Sequence, residues 1–117
     1  MDEQVFKRRT KKLALNVIEL VEALPKSRTA DVIGRQLLRS ATSVGANYRA
    51  ACRGKSTADV MVKLAIVEEE ADETAYWMEL LIEAAIVPQA RLADLLKKTN
   101  EIVAMTVASI KTLRGRK

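Results

Sequence analysis

The chain contains no histidine, a single cysteine (Cys52), two prolines, four glycines and aromatic residues at only 3% of its 117 positions. Each shortage excludes something. Without histidine there is no Ser-His-Asp or Cys-His nucleophile, no imidazole general base and little scope for a zinc site. A lone Cys52 has no intramolecular disulfide partner, whereas small secreted domains lean on several, so a reducing, cytoplasmic compartment is expected. The opening MDEQVFKRRTKK has neither an apolar stretch nor a small-residue cleavage site, which argues against a secretory leader. No apolar run approaches the ~18–20 residues that span a bilayer, so no membrane partner is expected. Gly34, Gly45, Gly54 and Gly115 stand apart from one another, outside any phosphate-cradling G-x-x-x-x-G-K-S/T loop.

What is present is aliphatic and charged. Apolar residues make up 49% of the chain, enough for one core. So few prolines and glycines leave room for few turns, which predicts long helices. Four are predicted, near residues 3–24, 29–53, 57–86 and 89–113, forming one domain over 1–117. Helix 1 repeats Phe6, Leu13, Val17, Leu20, Val21 and Leu24 at helical spacing, and Pro25 stops it. Helix 2 starts at a cap supplied by Ser27 or Thr29, carries Ile33, Leu37, Ala41, Val44 and Tyr48 inward, and stops at Gly54. Ser56 and Asp59 make an S-x-x-D capping signal for helix 3. That helix bears a heptad seam of Val60, Leu64, Val67, Ala71, Thr74, Met78 and Leu81. Pro88 stands where a helix start tolerates it, and helix 4 runs through Leu92, Leu95, Leu96, Ile102, Val103, Thr106, Ile110 and Leu113. Short connections make neighbours antiparallel, so the expected fold is all-α, an up-down-up-down four-helix bundle.

Charge is unevenly placed. Lys7, Arg8, Arg9, Lys11 and Lys12 crowd the first helix, and Lys111, Arg114, Arg116 and Lys117 close the chain. Between Ser56 and Val87 eight acidic residues face Lys63 alone. Basic ends suit a polyanion, and in an antiparallel bundle both basic clusters emerge at the same end; solvated faces and basic tails are the plainer reading. A second line on helix 3 (Ile66, Glu70, Glu73, Trp77, Leu80, Ala84) is either a wide intramolecular face or a subunit interface. Helix 2 reads SATSVGANYRAAC from Ser40 to Cys52, small side chains that let another helix approach. Arg35, Arg39, Arg49 and Arg53 form one line of helix 2. Glu69, Asp72, Tyr76, Glu79 and Glu83 form another on helix 3. These lines either set register between subunits or are exposed charges of little energetic weight. Cys52 lies near Arg49 and Arg53, which would lower its pKa, but it reads as a small packed thiol. A di-iron bundle needs Glu-x-x-His motifs and acids on several helices, whereas Glu68, Glu69, Glu70 and Glu73 share one, so neither metal nor cofactor is expected.

The runs IGRQLLRSATSVGANYRAACRGKS (Ile33 to Ser56) and KLAIVEEEADETAYWMELLIEA (Lys63 to Ala84) resemble the bacterial four helix bundle protein family. That family is also called the S23 or intervening-sequence protein family, because some members are encoded within insertions in 23S ribosomal RNA genes. The shared pattern is R-S-A-T-S-x-x-A-N with E-A-x-E-T-x-Y-W. The resemblance implies a homo-oligomer, a ring-like pentamer, and a distant relation to the accessory variability protein of diversity-generating retroelements, which partners a reverse transcriptase. It maps family positions onto Arg39, Ser40, Asn47, Glu70, Glu73, Tyr76 and Trp77. Arg39 and Asn47 are expected to meet Glu70 or Glu73, as groups that specify fold or interface rather than a ligand site. The expected function is a non-enzymatic oligomer binding nucleic acid, RNA in particular, through Lys7, Arg8, Arg9, Lys11, Lys12, Lys111, Arg114, Arg116 and Lys117. The alternative is a protein-interaction scaffold or accessory subunit of a nucleic-acid enzyme such as a reverse transcriptase.

Overall fold

A computed structural model of the chain describes residues 2–115. Among them are four α-helices: α1 (Glu3–Glu22), α2 (Arg28–Cys52), α3 (Thr57–Glu83) and α4 (Gln89–Arg114). They pack as an antiparallel bundle 49 Å long and about 20 Å across. Each helix lies against its neighbours in sequence, with the α2–α3 seam the most extensive and the closing α1–α4 seam the thinnest.

Local signals explain where each helix begins. The Asp2 carboxylate accepts from the Val5 amide at 3.1 Å, the Ser27 hydroxyl from Ala30 at 3.1 Å and the Ser56 hydroxyl from Asp59 at 3.1 Å. Each satisfies one of the orphan donors of a first turn. Ser27, rather than Thr29, therefore caps α2. Asp59 returns a bond to the Lys55 amide at 3.2 Å, one residue short of the usual capping-box partner. Pro88 occupies the cap position of α4 with no side-chain bond.

The helix ends differ more from expectation. α1 stops at Glu22, ahead of Leu24, because Pro25 disfavours helical geometry before it. α3 stops at Glu83, short of residue 86. Its end is a Schellman motif in which the Ile86 amide donates to Leu81 O and the Ala85 amide to Ile82 O, both at 2.9 Å. That motif puts Ala85 in the left-handed region, with φ of 59°. Gly54, just past the Arg53 cap of α2, is glycine for a steric reason: its φ is not positive, but an added Cβ would stand 2.5 Å from a Val60 methyl.

The core is aliphatic along the bundle. The α3 heptad seam is buried from Leu64 to Leu81, with Val60 half-buried at its start. Phe6 and Tyr48 meet edge to face, ring centroids 4.5 Å apart. Thr10, Ser40, Thr74, Thr99 and Thr106 are also buried. Each hydroxyl bonds a carbonyl one turn back in its own helix, at 2.7–3.2 Å, so polar side chains enter the core without losing a partner. Among the described residues no buried side-chain nitrogen or oxygen lacks a hydrogen-bond partner. No helix of the described residues is long and apolar enough to cross a membrane.

Ala85 is exposed and packs against little, so replacing it with glycine removes backbone strain at no cost in buried area. Ala85→Gly is expected to stabilise the chain by about 1 kcal/mol, read as a rise of several degrees in thermal midpoint. An unchanged or lower midpoint would contradict the strain.

Candidate nucleic-acid interface

The antiparallel order brings the start of α1, the end of α2, the start of α3 and the end of α4 to one end of the bundle. Lys7, Arg8, Arg9, Lys11, Lys12, Arg49, Arg53, Lys111 and Arg114 all lie toward that end. Arg116 and Lys117 fall outside the described residues. Arg8, Lys11, Lys12, Arg49, Arg53, Lys111 and Arg114 are exposed, and none forms an ion pair within the described residues. Lys7 pairs with Glu3 one turn away at 3.4 Å, and Arg9 donates to Glu101 of α4 at 2.6 Å and to the Met105 sulfur at 3.2 Å.

The helical periodicity of α1 splits its five cations between two grooves. Lys7 and Lys11 face α2, where Arg49 and Arg53 join them around a groove of about 470 Å³ floored by Thr10, Ala14, Thr42, Gly45 and Ala46. Arg8, Arg9 and Lys12 face α4 with Lys98 over Leu13, Leu95 and Ile102, in a groove of about 390 Å³. The sequence grouped Arg49 and Arg53 with Arg35 and Arg39 in one line on α2. In the structure that line divides among three environments. Arg35 pairs with Asp31 on its own helix at 3.2 Å, Arg39 reaches across to α3, and Arg49 and Arg53 turn toward α1. The missed signal was the match of Lys7/Lys11 and Arg49/Arg53, both i,i+4 pairs on antiparallel neighbours.

The α2–α3 seam holds the polar network. Arg39 donates through Nη1 to Glu70 Oε2 at 2.9 Å and through Nη2 to Glu73 Oε2. Glu73 Oε2 also accepts from the Trp77 indole N–H at 3.1 Å. Hydrogen bonds to the two carboxylates, and their charge, hold the Arg39 guanidinium pKa above its ordinary value. Beneath this pair the Thr74 and Ser40 hydroxyls meet at 2.9 Å, both fully buried. Asn47 does not join: its amide donates to Ser43 O and Ser43 Oγ, each at 2.9 Å, because it lies two turns beyond Arg39 on α2. The second line of α3 is half-buried within one chain from Ile66 to Leu80, and Trp77 packs on the core. Trp77 is thus partly covered within one chain. Tyr76, stacked edge-on to Trp77 at 5.2 Å, remains 51% exposed. Glu69, Asp72, Glu79 and Glu83 are exposed and unpaired among the described residues.

Cys52 turns away from both arginines. It sits beside Tyr48, Val60, Leu64 and Met105 in an open cavity between α2, α3 and α4. Burial is the main cause raising its thiol pKa, against the downward pull of a hydrogen bond with Tyr48. Arg49 and Arg53 do not lower it, because their side chains line a different groove, and the packed thiol expected from the sequence is what the structure shows. The Tyr48 phenol is likewise pushed well up by burial. No group of three or more cysteine, aspartate or glutamate side chains among the described residues is placed to hold a metal ion.

A family model described as 23S rRNA-intervening sequence protein matches residues 2–108. A solved structure from Bacteroides thetaiotaomicron VPI-5482, a protein of unknown function from the S23 ribosomal protein family, is similar with a TM-score of 0.88 and 34% sequence identity. The likeness covers 95% of this chain and 99% of that one. No curated protein matches the chain.

Glu70 is the least exposed member of the ion-pair cluster, its side chain at 15% against 50% for Arg39. Glu70→Gln removes one charged acceptor from a half-exposed guanidinium, for an expected loss of about 1 kcal/mol in chemical denaturation. An unchanged midpoint would mark the pair as energetically idle. Cys52, with its pKa raised, holds less thiolate than a free cysteine at neutral pH. Iodoacetamide is therefore expected to alkylate it more slowly than free cysteine until the chain is unfolded, and equal rates would contradict the packed environment.

Proposed function

The chain belongs to the 23S rRNA-intervening sequence protein family, and from its charge layout we propose that it is a non-enzymatic helical bundle that assembles with copies of itself and binds RNA through its basic end. The carrying observation is the convergence of exposed cations from α1, α2 and α4 at one end of the bundle. Phosphates attract such a surface without regard to base sequence, and the attraction falls steeply with salt. Aromatic side chains are scarce there: Phe6 is buried against Tyr48, so neither offers a face for base stacking. The non-enzymatic reading rests on a sequence without histidine and without a nucleophile–base constellation.

Self-assembly is supported by surface the single chain leaves uncovered. Tyr76 stands exposed on α3 amid an acidic row, while α1 presents exposed Ile18 and, one turn beyond Lys11 and Lys12, exposed Leu15. Rows of opposite sign on different faces of one molecule suit a head-to-tail contact, which closes into a ring when the rotation allows. A pentamer is what the family resemblance implies, and assembly would multiply the basic end by the number of subunits.

Absolute mass by light scattering, with and without an RNA fragment, tests both parts. The expected result is a mass of several protomers, near five, that rises with RNA at low salt and returns at high salt. A monomer whose mass ignores RNA at every salt concentration would overturn the reading. An oligomer indifferent to RNA would favour a scaffold for a protein partner.

A further inference from the structure

We infer that the groove between α1 and α2 is the track of a single nucleic-acid strand, held by its phosphates through Lys7, Lys11, Arg49 and Arg53. The inference rests on the RNA-binding reading above and narrows it from an end of the bundle to one groove. Each helix contributes two cations four residues apart, a rise of about 6 Å along the axis. That rise is close to the separation of successive phosphates along a strand. Because α1 and α2 are antiparallel, with Phe6 against Tyr48 and Thr10 beside Gly45, Arg49 stands across from Lys7, and the two pairs run from there in opposite directions as a staggered row along the groove.

The floor favours close approach. It is built of small side chains, Gly45 and Ala46 among them, so nothing long stands between a strand and the helix backbones. No aromatic residue lines it, which leaves the bases unstacked and turned outward, and makes the grip indifferent to sequence. A duplex is far wider than the gap between helices packed about 8–10 Å apart and would meet only the rims.

The charges here are also freer than in the neighbouring groove. Lys11, Arg49 and Arg53 have no ion-pair partner among the described residues, and Lys7 has an exposed one-turn pair with Glu3 at 3.4 Å. Such exposed pairs are weak and yield readily to a phosphate. In the α1–α4 groove, by contrast, Arg9 is held across the seam by Glu101 at 2.6 Å, over an apolar floor.

The test is a salt titration of the full chain with labelled single-stranded oligo-U, oligo-A and an RNA duplex. Four phosphate contacts to a single strand predict a log–log salt slope near −2.8, about a 50-fold weakening from 50 to 200 mM salt. Arg49→Gln with Arg53→Gln should halve that slope, to about a 7-fold weakening over the same range. Ala46→Glu, which sets a carboxylate on the floor without removing a cation, should weaken binding while the helical circular-dichroism signal stays intact. Arg91→Gln with Lys97→Gln, the same change of net charge placed on α4 away from the groove, should leave the slope unchanged. Equal affinity for oligo-U and oligo-A, with the loss concentrated in the Arg49/Arg53 variant, supports the track. A larger loss from Arg8→Gln with Lys12→Gln, or binding of the duplex alone, overturns the track and leaves RNA binding standing. Failure of the unaltered chain to bind any of the three RNAs overturns both.

Discussion

The bundle is organised around how closely α2 and α3 can approach. Ser40, Ala41, Ala71, Thr74 and Ala75 are all buried, and none extends far from its backbone. The Ser40–Thr74 contact puts two hydroxyls at 2.9 Å in the interior, a distance that only closely packed helices can hold. Apolar packing alone tolerates sliding by a turn; here a slip would part Ser40 from Thr74 and Arg39 from Glu70 and Glu73, although each hydroxyl would keep its own-helix carbonyl, Leu37 O or Glu70 O. Arg39, Glu70 and Glu73 then close the rim of the same seam. With α2 and α3 fixed in register, α1 docks on the outer side of α2 and α4 on the outer side of α3.

That arrangement also sorts the charge. The α3 face turned to solvent carries Glu69, Asp72, Glu79 and Glu83, while α1 and the last turns of α2 carry the free cations. Segregation of this kind adds little to stability, because exposed charges are screened and solvated. Its effect is on the field outside the molecule, which gives one face attraction for polyanions and another attraction for cationic surfaces.

Much of the fold was legible because the sequence is locally consistent. Periodic apolar positions, cap signals for α2 and α3 and few turn formers all indicate the same four helices, and the large buried side chains of α2 and α3, from Ile33 to Tyr48 and from Leu64 to Leu81, follow from period. What escaped were features with no periodic signature. The end of α3 depends on Ala85 adopting a left-handed conformation that an alanine does not advertise. Gly54 resembles a helix-ending glycine, yet its role is steric, against Val60. Thr10 and Thr99 are polar residues in core positions, made tolerable by back-bonding that a hydropathy pattern cannot register. For the basic surface, the cations were evident but their partition was not. Which groove a lysine enters depends on the rotation of α1 about its axis. Asn47 shares the quoted motif with Arg39, but two turns of helix separate their environments.

The thin α1–α4 seam has a kinetic meaning. The three extensive seams join helices adjacent in the chain, so each forms by closing a short connection at small entropic cost. The α1–α4 seam alone joins elements distant in sequence, and its cross-links include the Arg9 contacts with Glu101 and Met105. A topology so dominated by local pairings has low contact order and belongs with the fast folders. Such a topology favours assembly by successive hairpins, with the distant α1–α4 seam bearing the largest loop-closure cost.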